Sequence, residues 1–236
     1  MWPAYHKTRP VAFLHQGTPF FDRFLAEVVA LRLPLFPYPV EGEAPWRLLP
    51  CLAPLGFAGM VLDEGLPPPE GVRLEAEAVE AGLVDLVAVG LGGLVGQYTE
   101  GVALERFLSA HFPGAKALWL GPLRPSLAPF LRPLAQVSVA APSFAEGDAF
   151  LARLPERARG HVALRREEVE ALALKADLLL YAGGKLLLEL LQPFHALLAW
   201  VPVERRVYER VHGVHGPEDL LAFRVRAALE ALGYAP

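Results

Sequence analysis

The sequence predicts an α/β fold in two lobes, each a sheet with helices packed against it. Three observations predict this. Short strand-like apolar runs alternate with helical patterns along most of the 236 residues, and repeated strand–helix units imply a parallel sheet covered on both faces. The length suits one large domain or two small ones, each with its own core. One helical pattern, Thr99–Pro113, followed by the turn Pro113-Gly114, separates an earlier series of elements from a later one.

In the first series Val11–His15 reads as a strand. Pro19–Leu31 reads as a helix, with Phe20, Phe24, Val28 and Leu31 on one face. Thr18 supplies a hydroxyl cap and Pro19 a first-turn proline. Leu35–Pro37 is a second strand, Ala44–Leu49 a short helix ended by Pro50, and Ala58–Leu62 a third strand ended by Asp63-Glu64-Gly65. Leu74–Ala81 reads as helical. Leu83–Val89 and Leu94–Tyr98 flank Gly90-Leu91-Gly92-Gly93, a hairpin signal, because glycine supplies the positive φ of tight turns. In the second series, strands at Ala117–Leu120, Gln136–Ala140, His161–Leu164, Asp177–Tyr181 and Leu197–Val201 alternate with helices, including Ser126–Leu134 and Phe144–Leu154. The last helix is Pro217–Leu232.

Composition excludes several classes of function. Twenty-two Lys and Arg stand against 26 Asp and Glu, a net charge of -4, and no basic run exists to neutralise phosphates, so no nucleic-acid partner is expected. Cys51 is the single cysteine, which excludes an internal disulfide and a cysteine-based zinc site. No signal-peptide pattern and no membrane-length apolar run is present, so the expectation is a cytoplasmic protein without a membrane partner. Asn is absent, Met and Cys are rare and there are 23 prolines. That bias fits a thermophile, and a GC-rich genome equally.

Few motifs carry chemistry. After Ala117–Leu120 a dinucleotide site needs a glycine-rich turn whose N–H groups approach a pyrophosphate. The chain reads Gly121-Pro122-Leu123-Arg124-Pro125-Ser126, with two donors removed and bulk added. No dinucleotide cofactor is therefore expected. His212 and His215 are spaced like neighbouring helical ligands, but Gly213 and Gly216 argue for a loop, and no metal is expected. His15 ends the first strand and is a pocket candidate. Asp85 interrupts the run Leu83–Val87, where a charge needs a partner or an exposed face.

Gly82–Leu104, GLVDLVAVGLGGLVGQYTEGVAL, resembles the region of shikimate dehydrogenases that runs Gly-Ala-Val-Asn-Thr, a hairpin, Gly-x-Asn-Thr-Asp and a helix. The preceding FAGMVL and the late stretch Asp219–Phe223 are similar to two further segments of that family. The resemblance implies a substrate-type α/β domain over 1–103 plus 215–236, with the C-terminal helix returning to the first lobe. It implies a Rossmann-like doubly wound domain over 104–214. It also implies an inter-lobe cleft holding Thr18, Asp63, Asp85, Tyr98, Glu100 and Glu218. The family's two serines would fall at Gln16 and Thr18, its strand Asn at Val61, its catalytic Lys near Pro67, its Asp at Glu100 and its late Gln at Glu218. The Arg that would hold a 2′-phosphate falls near Ala141-Pro142-Ser143. No lysine lies between Lys7 and Lys116.

The expectation is a divergent member without NADP-dependent oxidoreduction, binding a neutral or cationic small molecule or a partner protein. The alternative is an NADP(H)-dependent oxidoreductase using His15 or Tyr98 as the acid. A third reading, an interaction protein, rests on Leu186–Leu191, a surface open to homo-oligomer pairing. Crowded carboxylates should repel one another, with Arg23 the nearest cation in sequence. Asp85→Asn and Glu100→Gln are then expected to stabilise the fold slightly.

Overall fold

The computed structural model describes residues 8–14, 17–42 and 44–234. The pocket candidate His15, and Gln16 at the position of one of the family's serines, lie outside the described residues. The chain divides into two compact units: Met1–Ala103 with Leu221–Pro236, and Leu104–Leu220.

The first unit contains β1 (Arg9–Leu14), α1 (Pro19–Ala30), β2 (Leu35–Val40), α2 (Leu49–Leu52), β3 (Gly59–Leu66), β4 (Arg73–Leu74), α3 (Ala76–Ala81), β5 (Val84–Gly90), β6 (Gly93–Gln97) and the start of α4 (Thr99–His111). Its sheet runs β2-β1-β3-β5-β6-β4. The sheet is mixed, not parallel throughout, because the β5–β6 hairpin and the β3–β5 pair are antiparallel. Two local readings also change. Pro50 sits inside the first turn of α2 and does not end a helix, since a first-turn N–H has no partner to lose. Strand β3 continues through Asp63-Glu64-Gly65 to Leu66, with an irregularity between Val61 and Leu66.

Thr18 caps α1 as its sequence suggests, its hydroxyl accepting from the Phe21 N–H at 3.2 Å. Phe20, Phe24 and Val28 are buried, while Leu31 stands outside the helix and is exposed. Phe13 of β1 packs its ring against Phe20, Phe21 and Phe24 at 5.7, 5.4 and 4.9 Å. Val225, Ala228, Leu229 and Leu232 lie in that same core.

The second unit contains the rest of α4, then β7 (Lys116–Leu120), β8 (Gln136–Ala140), α5 (Phe144–Ala152), β9 (Arg159–Ala163), α6 (Arg166–Ala173), β10 (Leu178–Tyr181), β11 (Ala196–Ala199), α7 (Arg205–Tyr208), β12 (Gly213–His215) and the start of α8 (Pro217–Ala231). Its strands are parallel, in the order β12-β11-β10-β7-β8-β9. Counted from β7, that is the doubly wound order of dinucleotide-binding sheets, with the switch point between β7 and β10. Every residue of β10 and β11 is buried, as expected of central strands covered on both faces. His215 stands in the edge strand β12, where the sequence reads as a loop. No helix among the described residues is long and apolar enough to cross a membrane.

His195 lies fully buried just before β11. Its Nδ1 accepts from the Gln192 N–H at 3.0 Å, so Nε2 carries the proton and donates to the Ala173 carbonyl at 2.8 Å. Burial pushes its pKa below the ordinary 6.5. The unfolded chain therefore takes up a proton that the folded one resists. The stability this neutral ring contributes is present above about pH 6.5 and is lost as pH falls through the folded value. Thermal unfolding should occur at lower temperature at pH 5.5 than at pH 7.5, and His195→Gln should flatten the difference. Burial lowers the pKa of His215 as well, so some dependence should survive in the variant.

Candidate functional site

In the first unit one guanidinium organises the polar groups. Arg224 of α8 donates to the Asp63 carbonyl at 2.8 Å, to the Leu62 carbonyl at 2.9 Å and to the Asp85 carboxylate at 3.1 Å. Its Nε reaches the Thr99 hydroxyl at 3.4 Å, and its plane stands 4.3 Å over the Phe20 ring. Only 12% of its side chain is exposed. Four hydrogen bonds to backbone and side-chain oxygens leave it a pin between helix and sheet rather than an open anion receptor.

Asp85 lies beneath, with no exposed surface. One carboxylate oxygen accepts from the Thr99 N–H at 2.6 Å; the other accepts from the Thr99 hydroxyl at 3.0 Å and the Glu100 N–H at 2.9 Å. Those N–H groups belong to the first turn of α4, where backbone donors have no partner in the helix and negative charge is favoured. A strand residue thus caps the helix that follows the hairpin. Burial pushes the Asp85 carboxyl above its ordinary 3.8, against the pull of Arg224 and the two N–H groups. Glu100 adds to the rise as the smallest contributor. Carboxylate crowding is therefore not the main cause, and the counter-charge is Arg224. Arg23, the cation nearest in sequence, is exposed on α1.

Two polar pairs flank the pin. The Thr18 hydroxyl donates to Asp63 at 3.0 Å, and the Tyr98 hydroxyl donates to Glu100 at 3.0 Å. The Tyr98 ring is buried against Gly65 of β3, where an added Cβ would come within 2.8 Å of it. Asp63, Glu100 and the Thr18 hydroxyl group are partly accessible. Thr18 thus pairs with Asp63, whose carbonyl Arg224 also holds, and Tyr98 pairs with Glu100, whose N–H shares Asp85 with Arg224; Asp85 itself is a satisfied buried acceptor. Glu218 is exposed in the first turn of α8 and belongs to the second unit. Arg224, which sequence reasoning missed, had one available signal. It stands three residues after Leu221 and four before Ala228, an arginine on a helix face that is otherwise apolar.

At the switch point of the second sheet, Gly121 follows β7 with φ +94°, and an added Cβ would overlap the Gly183 carbonyl oxygen. Trp119 donates from Nε1 to the Pro122 carbonyl at 3.0 Å, and its buried ring packs in tilted contact with Trp200 and Phe150, centroids 5.1 and 5.2 Å away. The helix expected over Ser126–Leu134 is a 3₁₀ helix over Pro125–Leu131, containing Pro129. Pro129, inside the element, explains the 3₁₀ form, since it cannot donate and restricts the residue before it; Pro125 stands in the first turn, where no N–H is lost.

No protein-family model matches the sequence, and no curated protein matches it. Solved structures do. Shikimate 5-dehydrogenase of Listeria monocytogenes, in complex with shikimate and NAD, superposes with a TM-score of 0.77 at 13% identity, covering 96% of this chain and 92% of that one. The 5-ketofructose reductase of Gluconobacter sp. strain CHM43 gives 0.77 at 14% identity, covering 98% and 95%. Shikimate 5-dehydrogenase of Thermus thermophilus, in complex with shikimate, gives 0.69 at 20% identity, covering 97% and 94%. The chain has the shikimate dehydrogenase fold.

The Listeria monocytogenes neighbour is a complex with NAD, and in this chain the turn at the switch point offers few donors to a pyrophosphate. Pyrophosphate needs convergent N–H donors at a helix N-terminus. Here Pro122 and Pro125 have none, and the Leu127 N–H is used by the Arg124 carbonyl at 2.9 Å. After β8, where a 2′-phosphate or ribose would need Arg or an acid, Ala141 and Pro142 precede Ser143, whose hydroxyl caps α5 by accepting from the Glu146 N–H. No group of three or more metal-ligating side chains gathers among the described residues. His215 sits instead in an aromatic cluster with Phe107, His111 and Phe112.

Proposed function

We propose that this shikimate dehydrogenase-fold protein does not carry out NADP-dependent hydride transfer, and that it holds a small neutral or cationic polar molecule at Thr18, Asp63, Tyr98 and Glu100. The observation that carries the first half is the turn after β7, two of whose six residues are prolines and whose next element is a 3₁₀ helix. The described residues of the first unit also include no lysine to donate a proton. Lys7 is the one lysine in the sequence of the first unit, and it stands outside the described residues. The second half rests on chemistry. Two carboxylates paired with hydroxyls offer acceptors to polyol or ammonium donors, and the Arg224 cation beside them is occupied by backbone and Asp85 oxygens.

Fluorescence titration with NADPH and with NADH tests the reading. No saturable binding is expected below about 1 mM. Micromolar binding of either nucleotide, with shikimate-dependent turnover lost in Tyr98→Phe, would establish the rival reading of an NADP(H)-dependent oxidoreductase. The Tyr98–Glu100 hydrogen bond is the feature that favours that rival.

A further inference from the structure

The second unit has a pocket of about 480 Å³ at the carboxyl ends of β10 and β11. Doubly wound sheets place ligands beyond the carboxyl ends of their strands, and small-molecule pockets measure roughly 300–1,000 Å³. We propose that this pocket binds a small monocarboxylate with an apolar body, through the Lys185 ammonium and the aliphatic wall formed by Leu186, Leu188, Val203 and Val207.

The charge at the rim selects the ligand. Lys185 and Arg206 both line the pocket, with Glu204. Arg206 donates from Nε to Glu204 at 2.7 Å, so these two charges answer each other. Lys185 is exposed and has no ion pair among the described residues, which leaves one positive charge unmatched. A monoanion balances it. A phosphate dianion would bring a second negative charge beside Glu204, and a neutral ligand would leave the ammonium unanswered. Leu186, Leu188, Val203 and Val207 in the lining favour an anion that carries an apolar body, which covers hydrocarbon that a free inorganic ion would leave to water.

The wall is held in place by its own bonds. The Tyr181 hydroxyl donates to the Gly184 carbonyl at 2.6 Å, fixing the turn from which Lys185 projects. Gly183 and Gly184 both have positive φ, +124° and +87°, which few side chains would allow. On the other side Val207 is buried, and its N–H donates to the Glu204 carbonyl at 2.9 Å. A pocket fixed before its ligand arrives loses little conformational entropy on binding.

Calorimetric titration of the full chain with benzoate and hexanoate, beside benzamide and inorganic phosphate, tests the assignment. Benzoate or hexanoate should bind with a sub-millimolar Kd, on the order of 0.1 mM. Benzamide and phosphate should be at least about tenfold weaker, the step expected when one charge-assisted bond is lost. Lys185→Gln should weaken the carboxylates by a similar factor with unchanged thermal unfolding, and Val203→Phe should abolish binding by filling the space. Failure of both carboxylates to bind at several millimolar, equal binding of benzamide, preference for phosphate, or indifference to Lys185→Gln each overturns the proposal. The proposed lack of NADP-dependent hydride transfer fails separately, on NADPH binding, because the carboxylate titration needs no nucleotide.

Discussion

Asp85→Asn should lower the thermal unfolding temperature sharply, and the loss should be among the largest of any single substitution in the first unit. The carboxylate is fully buried and accepts from Thr99, Glu100 and Arg224 together. An amide offers one oxygen and two N–H donors. Whichever way it turns, an N–H group faces either the Thr99 N–H or the Glu100 N–H and Arg224 guanidinium, and Arg224 is left without its counter-charge. Removing one partner of a buried ion pair costs about 3–5 kcal/mol. At this chain length that corresponds to a shift on the order of 10 °C. Arg224→Met should cost a similar amount, and the double variant should lose less than the two single losses added together. Additive losses, or an unchanged unfolding temperature in Asp85→Asn, would show that the pair is not the clamp its geometry implies. The outcome is opposite in sign to the gain expected from sequence, where Asp85 counted as one of several repelling carboxylates.

Gly121→Ala should also be strongly destabilising, and comparison with Gly184→Ala isolates the reason. Both glycines have positive φ, +94° and +87°. The conformational cost to an L-residue, roughly 1–2 kcal/mol, is therefore shared. They differ in what a new Cβ meets. At 184 there is nothing within 4 Å; at 121 the Cβ would overlap the carbonyl oxygen of Gly183. That neighbour is backbone, so no rotamer change can relieve the overlap, and β7 and β10 would have to part at their carboxyl ends. Overpacking of this kind adds about 1–3 kcal/mol. Gly121→Ala should therefore cost about 3 kcal/mol or more in denaturant unfolding, against about 1–2 kcal/mol for Gly184→Ala. Equal losses at the two positions would mean that the turn after β7 is open enough to admit a side chain, and with it a phosphate.

Much of the architecture could be read locally. The Thr18–Pro19 signal carries its own geometry, because cap and first turn involve adjacent residues. The Gly90–Gly93 hairpin and the strands β7, β8, β10 and β11 were legible for the same reason. Errors fell where a local signal was overridden or misread. Proline at 50 looks like a terminator and is a first-turn residue; the helix read over Ser126–Leu134 becomes a 3₁₀ helix over Pro125–Leu131 with Pro129 inside it. The acids Asp63-Glu64 look like a loop, and β3 runs through them because pairing with β5 resumes at Leu66.

The sequence by itself determined the two-unit α/β layout, the absence of a glycine-rich phosphate turn and the lack of a lysine between positions 7 and 116. These depend on residue identity and short-range pattern, and no tertiary contact can restore a proline's missing N–H. Only the tertiary structure decided what Asp85 is. In the sequence it is a charge in an apolar strand, equally consistent with a pocket acid and a buried cap. Its partner, Arg224, lies 139 positions away on a helix whose neighbours read as apolar. A buried charge needs a counter-charge, but the chain states only that the need exists. Which residue meets it depends on how α8 packs against β3 and β5, and that is fixed by the burial of Val225, Ala228, Leu229 and Leu232 rather than by anything near Asp85.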